Sequence, residues 1–187
     1  MGWLARLFGR KRRERAGFAL YAAAVQAARD PYFYTELGVP DTLDGRFDMV
    51  GLHVFLLIHR LHGASQAGAA LAQAVFDAMF ADMDMNLREI GAGDMSVGKR
   101  VRAMWEAFHG RANAYAAAVD AGDRGALAAA IARNVWRGAD AQGHDAALAD
   151  IVLRQGRNLA AQPIEALLAG RAAFQPVAPA FLAAVSP

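Results

Sequence analysis

Asp82–Arg100 reads DMDMNLREIGAGDMSVGKR, and three folds compete for it. DMDMN opens like a calcium loop, and GDMSVGKR (Gly93–Arg100) reads like a phosphate-binding loop. A calcium loop begun at Asp82 needs Gly at its sixth position and a bidentate Glu at its twelfth. The sequence supplies Leu87 and Gly93 there. A phosphate-binding loop needs Ser or Thr after its Lys, to hold magnesium, and a strand before its first Gly. Here Arg100 follows Lys99, and the preceding residues have helical spacing. The third reading fits every letter. DMDMNLREI closes one helix, Gly91 and Gly93 provide a left-handed stop, and Asp94 or Ser96 caps the next. The stretch is then a helix–helix junction and the fold a bundle.

The rest of the chain repeats that spacing, without a convincing period-2 strand. Helices are expected from about Glu14 to Arg29, over about Gly45–His62 with Asp41, Thr42 or Asp44 as N-cap, from Ser65 to Ile90, and from Ser96 to Asp120. Others are expected over DRGALAAAIARNVW and Ala146–Ala161, with a short one after Pro163. PYFYTELG is a short aromatic turn. The helix over Gly45–His62 is apolar on nearly all sides, the mark of a central helix. The next two should point Phe76, Met79, Phe80, Met83, Leu87 and Ile90, and then Val97, Val101, Met104, Trp105, Phe108 and Tyr115, inward. The expectation is an all-α single compact bundle of about six to seven helices. A basic arm (1–15) precedes a helical domain (16–170), and a Pro-containing tail (171–187) packs loosely or wraps the body.

The chain of 187 residues is 56% apolar, which argues against disorder, and lacks Cys, which excludes disulfides and thiolate chemistry. Its basic character is local. Residues 1–15 hold six of the 20 basic residues against Glu14 alone, net +5, and leave the body near −3. This is not the footprint of a basic nucleic-acid-binding domain. AGFALYAAAVQAA could belong to a signal peptide, but Tyr21, Gln26 and Arg29 interrupt it. The strongest apolar run, MVGLHVFLLI, is half the length of a membrane span. Trp3, Leu4, Leu7 and Phe8 share a helical face, followed by Arg10, Lys11, Arg12, Arg13 and Arg15. An apolar wedge beside a polybasic patch suits an anionic membrane surface. A solvated arm and a ribosome-touching arm are the alternatives.

Catalytic patterns are weak. Glu106-x-x-His109 is half of a di-iron set, and no second copy exists among five Glu. His59-x-x-His62 lacks a third ligand and suits a basic helix terminus. His53 reads as a hydrogen-bonded core residue. There are three Ser and no nucleophile-elbow motif. Lys99, Arg100 and Arg102 crowd a helix start, where the macrodipole disfavours cations. Either acids such as Asp84 or Glu89 compensate, or the cluster meets an anionic partner. No metal or cofactor is expected.

Two long idiosyncratic stretches are more specific: GVPDTLDGRFDM (Gly38–Met49) and MDMNLREIGAGDMSVGKR (Met83–Arg100), within Tyr21–Leu61 and Phe80–Tyr115. Through them the chain resembles the ubiquinol–cytochrome c chaperone family over roughly residues 14–160. The resemblance implies a non-enzymatic, all-helical assembly factor of ubiquinol–cytochrome c reductase with newly made cytochrome b as client. In the mitochondrial branch it works with a small partner protein. Without a long presequence, the chain reads as a bacterial member, cytoplasmic and peripheral on the inner membrane. The motif positions that carry over are Gly45, Arg46, Phe47, Asp48 and His53, then Asp84, Arg88, Glu89, Gly93, Asp94, Gly98, Lys99 and Arg100. Of these, Arg46, Phe47, Asp48, His53, Asp84, Arg88, Glu89, Asp94, Lys99 and Arg100 are the candidate client- or partner-binding residues. The same residues would suit an internal salt-bridge network, with Arg46–Asp48 approaching Asp84 and Arg88 across the bundle. The rival functions are a membrane- or ribosome-tethered adaptor and a small-ligand-binding helical enzyme.

Overall fold

The computed structural model describes residues 3–89, 94–137 and 139–177, and side chains are described over 8–89, 96–137 and 139–177. The described residues form eight α-helices and no strand. They are α1 (Trp3–Ala28), α2 (Pro31–Thr35), α3 (Leu43–His62), α4 (Gln66–Glu89), α5 (Asp94–Ala121), α6 (Arg124–Ile131), α7 (His144–Ala161) and α8 (Ile164–Leu168). A single π-helical turn, Ala132–Trp136, follows α6. The all-α expectation holds. The near-calcium letters lie inside α4, and Lys99 lies on α5 rather than in a loop. Ile90, Gly91 and Gly93, and the side chain of Asp94, fall outside the described residues.

α1 begins eleven residues before the expected start at Glu14. Leu, Ala, Arg and Lys are strong helix formers, and one internal Gly costs too little to break the run. An Arg10 Nε to Glu14 Oε1 bond of 2.6 Å adds i,i+4 support. α3 is the central helix. The Thr42 hydroxyl caps it, accepting from the Gly45 amide at 3.1 Å. Met49, Leu52, Val54, Phe55, Leu56, Leu57 and Leu61 are all buried along its length. α1 packs on α4 where Gly17 meets Ala74; a Cβ at Gly17 would come within 2.8 Å of the Ala74 backbone. Further along, Tyr21 reaches Asp82, so the two helices run side by side in the same direction. α5 returns against α4 through Phe76, Phe80 and Phe108.

Trp105 is a correction. It is 46% exposed, stacked on His109 with centroids 4.0 Å apart. Met104 and Phe108 carry the contact, and Trp105 stands about 100° round the helix from Met104.

The tail wraps the body as far as Val177, held by amides in place of a strand partner. Gln155 donates to the Gln175 carbonyl (2.6 Å) and accepts from its amide (2.9 Å). Gln162 treats Ala173 the same way, at 2.7 and 2.9 Å. This strap lays Phe174 over His53. Residues 178–187 lie outside the described residues.

Gly45 explains one motif letter. A Cβ there would sit 2.0 Å from the Pro40 carbonyl oxygen. Backbone cannot yield as a side-chain tip can, so Gly45→Ala is expected to lower stability by about 1–3 kcal/mol in urea unfolding. Gly110→Ala, in open space on α5, is expected to raise it by up to about 1 kcal/mol.

Candidate functional site

Residues of α1, α2, α3, α4 and α5 line a groove of about 800 Å³. Its floor is apolar: Phe47 and Val50 from α3, Met83 and Leu87 from α4, and Met104 from α5. The rim is polar but tied down. Tyr21 donates to Asp82 Oδ2 at 2.6 Å, and burial followed by the Asp82 carboxylate pushes its phenol well above the usual range. Arg46 Nε donates to Asp41 Oδ1 at 2.6 Å, which holds Asp41 below the ordinary carboxylate value. Leu43 stands at the mouth, 56% exposed. Among the described residues the wall contains no Ser, Cys, His or Lys. The two methionines give the floor a surface that adapts to more than one occupant.

The motif residues separate into three places. Arg46 and Phe47 line the groove. Asp48, one residue on, points into the protein, its side chain 2% exposed. It accepts from Arg111 Nη1 and, at 3.0 Å, from Arg137 Nη2. Burial raises its pKa above the usual carboxylate value, and the two guanidiniums pull the other way without fully offsetting it. Arg137 also pairs with Asp44 at 3.2 Å and stands in the left-handed region at φ 54°, where it ends the π turn. His53 is a core residue, as the sequence suggested. Its Nδ1 donates to the Met49 carbonyl at 2.8 Å, and its ring lies edge-on between Phe33 and Phe174. Burial drops its pKa to about 4.

The third group is on the surface. Asp84 and Arg88 pair with each other along α4 at 2.7 Å. Glu89, Lys99 and Arg100 are exposed. Among the described residues, no ion pair joins Arg46 or Asp48 to Asp84, as the network alternative would have it. Asp48 takes its cations from α5 and the π turn, and Arg46 takes Asp41. On α5, Arg102 pairs with Glu106 at 3.1 Å. His59 pairs with Asp120 at 2.9 Å, next to the end of α3.

Sequence reasoning missed Tyr21, Val50, Leu43, Arg111 and Arg137. Val50 and Met83 carried a signal as apolar helix positions, but not one that tells a groove floor from a core. Nothing in the spacing pairs Asp48 with arginines 63 and 89 residues away.

The sequence and the fold match known proteins. The sequence profile of the family described as ubiquinol-cytochrome C chaperone matches residues 35–174. The crystal structure of the Cbp3 homolog from Brucella abortus superposes with a TM-score of 0.82 at 41% identity, covering 93% of this chain and 97% of that one. Ubiquinol-cytochrome-c reductase complex assembly factor 1 of Xenopus laevis is 26% identical over 120 residues, 64% of this chain. The chain spans 60% of that relative's length. The chain belongs to the ubiquinol–cytochrome c chaperone family.

Proposed function

We propose that the protein is a non-catalytic assembly chaperone for ubiquinol–cytochrome c reductase. In this reading it holds an apolar segment of newly made cytochrome b in the groove between α1, α3, α4 and α5, while its basic arm rests on an anionic membrane surface. Family membership supports the assembly role. The observation that carries the site is the groove of about 800 Å³, lined by Phe47, Val50, Met83, Leu87 and Met104 together with the Arg46–Asp41 pair. A membrane-protein segment outside the bilayer needs apolar cover, and a fixed polar rim limits how it enters. Arg46 and Phe47 would serve this contact, whereas Asp48 and His53 support the helix behind it. No helix among the described residues is long and apolar enough to cross a membrane, so attachment falls to the arm.

A photo-crosslinker at Leu43, at the mouth, is expected to capture cytochrome b during its synthesis. Leu43→Asp should keep the melting temperature and cut capture about tenfold, the loss expected of a single anchor residue. Reductase b-type haem absorbance should fall with it. Capture of cytochrome b only through sites remote from the groove would refute this assignment.

A further inference from the structure

We infer that the lipid contact is a stripe along α1 that continues past the arm into the body, so that α1 lies flat on an anionic bilayer and the groove opens toward it. This rests on the membrane reading above and adds an orientation to it. α1 is unbroken from Trp3 to Ala28, so the arm is a rigid extension of a body helix rather than a flexible leash. At 3.6 residues per turn, Phe8, Lys11, Arg15, Phe18 and Ala22 fall within an arc of about 80°. All five are exposed. Leu20, Ala24 and Ala28, across the helix, are fully buried.

Phe18 is the informative residue. It lies in the body beside Gly17, which packs on α4, yet it is 61% exposed; Phe8, on the arm, is 71% exposed. The two rings are about 15 Å apart along the axis. Between them Lys11 and Arg15 have no ion-pair partner among the described residues, and Glu14 is occupied by Arg10. Two exposed rings with unpaired cations between them on one face suit a helix lying in the headgroup plane, where rings enter the acyl boundary and cationic tips reach back to phosphate. The charge term commits the face to an anionic bilayer.

The stripe then meets the groove. Val25 and Arg29 continue it by register, and both line the groove wall. Lipid contact and groove mouth therefore share one side of α1. An apolar segment leaving the bilayer would reach the floor without crossing open water.

The chain has no Cys, so one introduced thiol carries one environment-sensitive dye. The full chain is labelled at Phe18→Cys, at Ala22→Cys or, on exposed α7, at Ala160→Cys. It is then mixed with phosphatidylglycerol–phosphatidylcholine vesicles or with phosphatidylcholine alone. Labels at 18 and 22 are expected to shift to the blue with the anionic vesicles only, and the label at 160 to stay in water. Unlabelled Phe18→Ser should bind anionic vesicles about tenfold more weakly at an unchanged melting temperature. If the protein floats while labels at 18 and 22 stay in water, the arm anchors alone and the flat orientation is overturned. If wild type floats with neither vesicle, the membrane reading falls and this inference with it. A lowered melting temperature in Phe18→Ser would make Phe18 a packing residue and overturn the inference as well.

Discussion

Between pH 7 and pH 4 the stability advantage of the wild-type protein over His53→Gln is expected to shrink by about 3 kcal/mol. His53 is buried between Phe33 and Phe174, and its pKa falls to about 4 from the ordinary imidazole value of 6.5. Burial is the main cause. The Met49 carbonyl and the more distant Asp30 carboxylate act in the opposite direction, too weakly to restore it. The sign follows from which state binds the proton. Unfolded, the imidazole protonates near 6.5; folded, it resists until about 4. Its contribution is complete above pH 6.5, declines as pH falls, and is gone below the folded value. At about 1.4 kcal/mol per pKa unit, the shift amounts to the stated difference. Gln keeps a donor for the Met49 carbonyl and does not titrate. Urea unfolding of both proteins across this range measures the gap. A gap that stays constant with pH would mean that His53 titrates alike in both states, and the buried-neutral assignment would fail.

Arg111→Met should cost about 3 kcal/mol at neutral pH, because it strips a buried carboxylate of one of its two cations. Asp48 is the most enclosed acid described, and Arg137 alone would hold it from a half-exposed position. The loss should narrow as pH falls. Without Arg111 the folded pKa of Asp48 rises further above its unfolded value, and protonation then relieves the unpaired charge. Adding Asp48→Leu to Arg111→Met should recover part of the loss even at neutral pH, since an apolar pair avoids the desolvation penalty. A single-variant loss below about 1 kcal/mol, flat with pH, would show that Arg137 suffices. Arg111 also lies 6.0 Å over the Phe47 ring, so this variant tests a support of the groove floor as well.

How much was legible in the sequence depended on how local each cause is. α3, α4 and α7 followed from apolar spacing, and their ends from Thr42, Gly63 and Pro163 within a residue or two. The resemblance carried by GVPDTLDGRFDM and its sister motif gave the family. The continuity of α1 with the arm was missed because residues 8–13 are all exposed, so that propensity alone carries the helix through them. Trp105 was placed inward by hydrophobicity, although the α4–α5 contact is filled by Met104 and Phe108. The motif letters were read as either one polar surface or one internal salt-bridge network, but they serve different tasks. Gly45 makes room for Pro40, Phe47 floors a groove, and Asp48 anchors three segments from inside. Only coordinates separate them, because Arg111 and Arg137 reach Asp48 from far along the chain.

The strap that closes over His53 has a consequence for the order of synthesis. α3 leaves the ribosome more than a hundred residues before Phe174, the ring that completes the histidine's enclosure. Until the Gln155 and Gln162 amides fasten the incoming segment, this imidazole lacks the Phe174 ring over one of its sides. Domain closure is thus a late, long-range event, set by a contact between distant parts of the chain rather than by local helix formation. A nascent chain arrested before residue 171 would lack the Phe174 ring that packs on this histidine. The protein would finish its own folding only after translation has passed its seventh and eighth helices.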